Sequence, residues 1–85
     1  MMLMYPGDCR SLVLALSYLT ELHGENTVTP KMLAAEMTRR GREINHVLVG
    51  RLLSQMQVCT CYGSMAVHTI RCDRAELSRL QELYK

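Results

Sequence analysis

The sequence has no phenylalanine and no tryptophan, and only two prolines and five glycines among its 85 residues. Its core must therefore be built from Leu, Val, Ile and the seven Met, whose flexible side chains fill irregular gaps and adapt to partners. A chain of this length is enough for one domain and too short for two, and a small core contributes limited stability. We interpret residues 1–85 as a single domain to which oligomerisation would add stability.

Long apolar runs are also missing, since no stretch approaches the ~20 apolar residues of a membrane span. The apolar start, Met1–Tyr5, lacks the basic residues of a secretory signal and is interrupted by Pro6-Gly7-Asp8. We therefore expect a cytoplasmic protein that does not bind membranes. Its four cysteines are then expected to be reduced thiols, unless the source is a hyperthermophile, in which intracellular disulfides occur.

Catalytic motifs are absent from the sequence. The three histidines are scattered, and there is no phosphate-binding loop, no His-Glu-x-x-His motif and no Ser-His-Asp arrangement. The acidic residues fall at helix starts and on polar faces. We expect no enzymatic activity and no cofactor.

The first two helices are predicted from apolar spacing and capping residues. Asp8 is expected to cap a helix that starts at Cys9, follows an N-terminal arm of residues 1–7 and ends near His23-Gly24. A short link with a strand stub at Thr27-Val28 follows. Thr29-Pro30 is typical of a helix start, and Gly41 is a good C-terminal residue for this second helix.

The third helix is predicted from His46 to about Gln57, with Asn45 as its cap. Two β-rich runs, Val58–Tyr62 and Met65–Cys72, then flank Gly63-Ser64, a plausible two-residue hairpin turn. Asp73 and Glu76 resemble a capping box that opens a C-terminal helix over residues 73–85. The third helix has a core stripe (Leu48, Val49, Leu52, Leu53, Met56) and an outward face (His46, Val47, Gly50, Arg51, Ser54).

The element order is thus helix, link, helix, turn, helix, hairpin, helix. This predicts a mostly α (α+β) fold, and two helices joined by a short Gly-containing turn form a helix-turn-helix. The order and length resemble the winged-helix superfamily over nearly the whole chain, without assigning a subfamily. The resemblance implies a three-helix core, a β-hairpin wing and a C-terminal helix, and it implies binding to double-stranded DNA in transcription regulation.

In a helix-turn-helix the second of the two helices lies in the major groove of DNA. Arg can pair with guanine, and Asn or Gln with adenine, through two hydrogen bonds. The segment from Lys31 to Arg51 carries a formal charge of +3, whereas the whole chain carries +2. We expect base contacts from Asn45, His46, Gly50, Arg51, Ser54 and Gln55, phosphate contacts from Lys31, Arg39, Arg40 and Arg42, and further backbone contacts near the wing from Tyr62, Ser64 and His68.

The first helix is apolar around most of its girth, which favours burial on more than one side. In so small a domain the second side indicates a partner chain, and we expect a homodimer that uses this helix and the C-terminal one. A dimer would place two reading helices about one DNA turn apart. The alternative is a winged-helix protein-interaction module in a larger assembly, because fold does not imply function.

The hairpin cysteines raise a third possibility. With a two-residue turn, Cys59, Cys61, His68 and Cys72 would share one face, and thiols with an imidazole are a zinc or iron–sulfur ligand set. The spacing is Cys-x-Cys, not the Cys-x-x-Cys of zinc knuckles, and free cysteine is commonly a small buried apolar residue. A thiol- or metal-responsive regulator therefore stays an alternative beside the structural interpretation.

Overall fold

The computed structural model describes the backbone of residues 6–62 and 68–84 and the side chains of residues 7–60 and 68–84. Within these ranges the protein is mostly helical, with one pair of short strands, which agrees with the predicted mostly α class. Residues 1–5, the predicted Gly63-Ser64 turn and Lys85 lie outside the described residues. The elements are α1 (Pro6–His23), α2 (Pro30–Arg39), α3 (His46–Gln55), β1 (Thr60–Tyr62), β2 (His68–Ile70) and α4 (Arg74–Leu83).

Helix α1 begins earlier than the sequence suggested. It starts at Pro6, so Pro6 and Gly7 do not belong to an arm, and Asp8 lies in the first turn instead of capping the helix. Proline suits a first turn because its missing N–H would have had no partner there. Asp8 is also favourable in this turn, since a negative charge interacts well with the N-terminal end of a helix.

The α2–α3 pair forms with the predicted caps. The Thr29 side chain accepts from the N–H of Met32, and the Asn45 side chain accepts from the N–H of Leu48. Gly41 has a φ of +104°, which a residue with a Cβ rarely adopts, and this allows the sharp turn between the helices. α3 ends at Gln55, two residues before the predicted end at Gln57, because Gln57 itself takes a left-handed φ of 62°.

The hairpin has a different register from the predicted one. β1 and β2 are antiparallel, with Thr60 opposite Ile70 and Tyr62 opposite His68. A two-residue turn at Gly63-Ser64 would instead place Cys59 opposite His68, so the predicted register is wrong. Within the described residues, regular pairing covers three residues of each strand, and it does not reach Val58, Cys59, Arg71 or Cys72 of the runs proposed from the sequence.

Hydrogen bonds join the link between α1 and α2 to β2 and to the residues that follow it. The N–H of Ile70 donates to the carbonyl of Val28 at 2.7 Å, and the N–H of Cys72 donates to Oδ1 of Asn26 at 2.7 Å. The N–H of Arg74 donates to Oε2 of Glu25 at 2.6 Å. The predicted strand stub at Thr27-Val28 is therefore limited to the one backbone hydrogen bond between Val28 and Ile70. The three bonds together hold β2 and the start of α4 against the link.

The core lies where α1, α2, α3, β2 and α4 meet. Leu16 from α1, Leu33 from α2, Val49 from α3, Ile70 from β2 and Leu80 from α4 are all fully buried. Each of these elements thus contributes an apolar side chain to one continuous cluster. No helix of the described residues combines the length and apolarity needed to cross a membrane.

A pair of substitutions on α3 tests its orientation. Leu53 is 1% exposed and Val47 is 57% exposed. We expect Leu53→Ala to lower the free energy of unfolding by about 2–5 kcal/mol, because it leaves a cavity. Val47→Ala should change it by less than about 0.5 kcal/mol, as for most surface substitutions. Urea unfolding of both variants measures this, and equal losses would contradict the assigned faces.

Candidate nucleic-acid interface

The outer face of α3 comprises His46, Val47, Gly50, Arg51 and Ser54. All of these residues are exposed except Gly50, which is half-buried, and the opposite side of the helix is anchored in the core. Because the inner stripe fixes the rotation of the helix, the outer face presents its side chains as one surface.

Gly50 is an unusual residue for the middle of this face. A glycine inside a helix costs roughly 0.5–1 kcal/mol relative to alanine. A Cβ built at Gly50 would have no heavy atom within 4 Å, so no packing contact of the described protein requires a glycine there. Its φ also lies outside the left-handed region. The described fold therefore gives no reason for a glycine at this position.

Asn45 sits at the tip of the same helix but its oxygen is already used. Oδ1 accepts from the N–H of Leu48 at 2.8 Å, which is the capping bond that starts α3. A bidentate contact to adenine needs both the oxygen and the nitrogen of the amide. The expected base contact from Asn45 is thus limited to the side-chain nitrogen, unless the cap opens. Gln55, which is exposed on the flank, makes no comparable capping bond among the described residues.

Two of the arginines expected to bind phosphate are held by one carboxylate. Arg39 donates to Glu36 through Nε at 3.0 Å and through Nη2, and Arg40 donates through Nε at 2.6 Å. These bonds lower the pKa of Glu36 from its ordinary value of 4.5 to about 2. The Arg40 guanidinium also lies over the ring of Tyr18, 5.3 Å from its centroid. The cluster therefore ties α2 to α1.

Arg42 is held by a second carboxylate. Nε and Nη2 of Arg42 donate to the two oxygens of Asp8 at 2.7 and 3.1 Å, and Nη1 donates to the carbonyl of Glu43. The bidentate bond lowers the pKa of Asp8 and raises that of Arg42. Arg42 thus joins the turn between α2 and α3 to the first turn of α1.

The structure therefore separates the predicted site residues into two groups. Lys31 and Arg51 are exposed and have no ion pair among the described residues, so they are available to a ligand. Arg39, Arg40 and Arg42 would have to leave or share a carboxylate to contact a phosphate. The expected phosphate contacts of these three arginines stay a prediction.

Sequence reasoning did not predict the ion pairs of Glu36 and Asp8, and it gave Val47 a place on the outer face but no contact. The spacing of Glu36 with Arg39 and Arg40, three and four residues apart on a helix, could have revealed their ion pairs. Val47, exposed beside Arg51, offers methyl groups that could contact the methyl group of thymine. Asp8 carried no such signal, because its partner lies 34 residues away in the sequence.

The four residues considered as metal ligands are not arranged as predicted. His68 pairs with Tyr62 instead of Cys59, and the N–H of Arg71 donates to the carbonyl of Cys59. Cys72 is buried, which with nearby carboxylates raises the pKa of its thiol to about 11, whereas Cys59 is exposed. The Cys61 side chain lies outside the described residues. No group of three or more possible metal ligands occurs within the described part of the chain.

The candidate surface that remains is the outer face of α3, with an imidazole, a hydroxyl, exposed methyl groups, a central glycine and an arginine that has no ion pair among the described residues. No protein-family model, curated protein or solved structure matches this chain. The function of this surface must therefore be argued from its own chemistry.

The Glu36 cluster predicts a pH dependence of stability. Because the pKa of Glu36 is lowered in the folded protein, its contribution is fully present above about pH 4.5 and is lost as the pH falls toward 2. We expect Glu36→Gln to be less stable than the parent at pH 7 and to lose less stability than the parent between pH 4.5 and 2. Urea unfolding at several pH values measures both effects.

Glu43→Gln is the matched control, since Glu43 is exposed and its carboxylate has no ion pair among the described residues. Parallel pH profiles for the parent and Glu36→Gln would contradict the role given to Glu36.

Proposed function

We propose that this chain is a winged helix-turn-helix module that binds double-stranded DNA and acts as a homodimeric, sequence-specific transcriptional regulator. α3 is the reading helix, and Arg51, His46, Ser54 and Gln55 contact base edges. The hairpin is the wing. The order of the elements and the bond from Ile70 to Val28, which brings the wing beside the α1–α2 link, support this arrangement.

Gly50 is the observation that carries the proposal. It lies one helical turn or less from Val47, Arg51 and Ser54, at the centre of the outer face. The major groove admits an α-helix only when the helix lies close to the base edges. A residue without a side chain at this position permits that approach, and it explains why the helix keeps a destabilising glycine where the fold leaves open space.

The electrostatics favour a modest phosphate contribution. Lys31 and Arg51 supply free positive charge, and Arg39 is 64% exposed although it contacts Glu36. Binding to phosphates releases counterions and so weakens as salt rises. With few unpaired cations, we expect non-specific binding that is weak at physiological salt and detectable at low salt, while the base contacts of α3 supply the preference for a sequence.

The first experiment is binding to random-sequence duplex DNA at low and moderate salt, followed by selection of a preferred site. Fluorescence anisotropy gives the affinity, and sedimentation of the same sample gives the oligomeric state. Salt-sensitive binding and an enriched sequence support the proposal. Absence of binding at low salt by a folded protein overturns it.

Arg51 provides the test of sequence reading. On the selected site, Arg51→Ala should weaken binding by about 1–3 kcal/mol, because a paired arginine discriminates between bases by this amount. Binding to random DNA should change far less. Arg74→Ala is the control, since Arg74 is an exposed arginine on α4, away from α3. Equal weakening on all sequences would reassign Arg51 to a phosphate contact.

Gly50 provides the test of close approach. Gly50→Leu should raise the free energy of unfolding by about 0.5–1 kcal/mol, since it replaces a helical glycine in open space with a good helix former. The same substitution should weaken DNA binding at least about tenfold, a loss of ~1.4 kcal/mol. Ala75→Leu, on the exposed side of α4, is the matched enlargement and should leave binding unchanged. Unchanged binding by Gly50→Leu would contradict the assigned face.

A protein-interaction module is the second candidate, and the surface of α1 favours it. Leu14 is 56% exposed and Leu22 is 61% exposed, which is unusual for leucines aligned on one helix. Salt separates the two candidates, because phosphate-driven binding falls steeply with salt and a hydrophobic interface does not. A folded protein that ignores DNA but forms salt-resistant complexes would favour this second function.

A further inference from the structure

The exposed side of α1 carries an apolar stripe between two opposite charges. Leu14, Tyr18 and Leu22 are spaced four residues apart and are 56%, 43% and 61% exposed. Arg10 lies one turn before Leu14, and Glu21 lies one turn after Tyr18. Residues three or four apart share a helix face, so all five belong to one surface. We define these five residues as the α1 stripe.

The charges of the α1 stripe are unpaired within the described protein. Arg10 and Glu21 are both exposed, and neither makes an ion pair with another described residue. In contrast, Asp8, Glu36 and Glu76 are all engaged by arginines. The stripe therefore combines an exposed apolar centre, in which the Arg40 guanidinium lies over the Tyr18 ring, with a free positive end and a free negative end.

We infer that the α1 stripe binds the α1 stripe of a second copy of this chain, with the two helices antiparallel around a two-fold axis near residue 16. In this arrangement Leu14 of one copy faces Tyr18 of the other, and Arg10 of each copy lies beside Glu21 of the other. A parallel arrangement would instead place Arg10 against Arg10 and Glu21 against Glu21. The charge order along the helix therefore selects the antiparallel one.

A groove beside the α1 stripe could hold a side chain of the second copy in this antiparallel arrangement. It lies between α1 and α4 and is lined by Val13, Leu14, Tyr84, Arg10 and Gln81. Leu22 of the second copy falls opposite Arg10, at the mouth of this groove. Insertion there would cover a leucine that is now 61% exposed, and it would add α4 to the interface. This inference supplies the interface for the homodimer of the proposed function and rests on that function for its dimeric state.

Charge reversal tests the register on the full chain. The dimer dissociation constant of the parent, Arg10→Glu, Glu21→Arg and the double variant is measured by sedimentation without DNA. Each single reversal sets like charges side by side, and we expect it to weaken the dimer at least about tenfold. The double variant exchanges the charges and should return to within about threefold of the parent. Both positions are exposed, and thermal unfolding verifies that every variant is folded.

Leu14→Asp, which buries a charge against the facing tyrosine, should make the protein monomeric. A monomeric parent, single reversals without effect, or a double variant that stays as weak as the single ones would each overturn the inference. Random-sequence DNA binding, measured on the same samples, keeps it separate from the proposed function. A monomer that binds DNA defeats the interface alone, and a dimer with the predicted charge behaviour that ignores DNA defeats the proposed function alone.

Discussion

Three hydrogen bonds join β2 and the start of α4 to the link between α1 and α2. Their donors are the backbone N–H groups of Ile70, Cys72 and Arg74. Their partners on the link are a carbonyl and two side-chain oxygens. These bonds add to the apolar packing of Ile70 and Leu80 in placing β2 and α4 beside the helices. Without its bond to Val28, the backbone N–H of the buried Ile70 would lose its partner, which is costly. Asn26, which accepts one of these bonds, has a left-handed φ of 61° that lets the short link turn back toward α4.

This closure leaves α3 covered on one side only. The link, β2 and α4 pack with the inner surfaces of the helices, where Leu33, Val49 and Ile70 meet. No heavy atom of the described chain lies within 4 Å of a Cβ built at Gly50, and Arg51 makes no ion pair with a described carboxylate. A rigid helix with one anchored face and one bare polar face is suited to presenting side chains to a groove, because its rotation is set before the ligand arrives.

The arginines around the turn have a different part in the structure. Arg40 and Arg42 connect α2 and the following turn to α1 through Glu36, Tyr18 and Asp8. The positive charges of these arginines, which the sequence analysis assigned to phosphate contacts, thus help to join the helices. Arg39, Arg40 and Arg42 are thus engaged by carboxylates in the described protein, and less of the positive charge near the turn is unpaired than the sequence indicates.

The helices and their starts could be predicted from the sequence because they depend on interactions between residues a few positions apart. Thr29, Asn45 and Asp73 each accept from a backbone N–H three residues later, and the apolar spacing around Leu52 and Leu53 set which side of α3 is buried. The Glu36 ion pairs are local in the same way, although only the folded chain drew attention to them. The start of α1 was misjudged by a few residues because a proline can begin a helix as well as precede one.

Other features depended on the tertiary structure. The hairpin register, with Tyr62 opposite His68, follows from packing against the core and from the bond between Ile70 and Val28, and turn residues alone pointed to a different pairing. The pairing of Arg42 with Asp8 joins residues 34 positions apart. The sequence by itself determined the helices and the buried side of α3, because these depend on neighbours within about one helical turn. Only the folded chain decided the hairpin register and the pairing of Arg42 with Asp8, because those depend on partners that folding alone brings together.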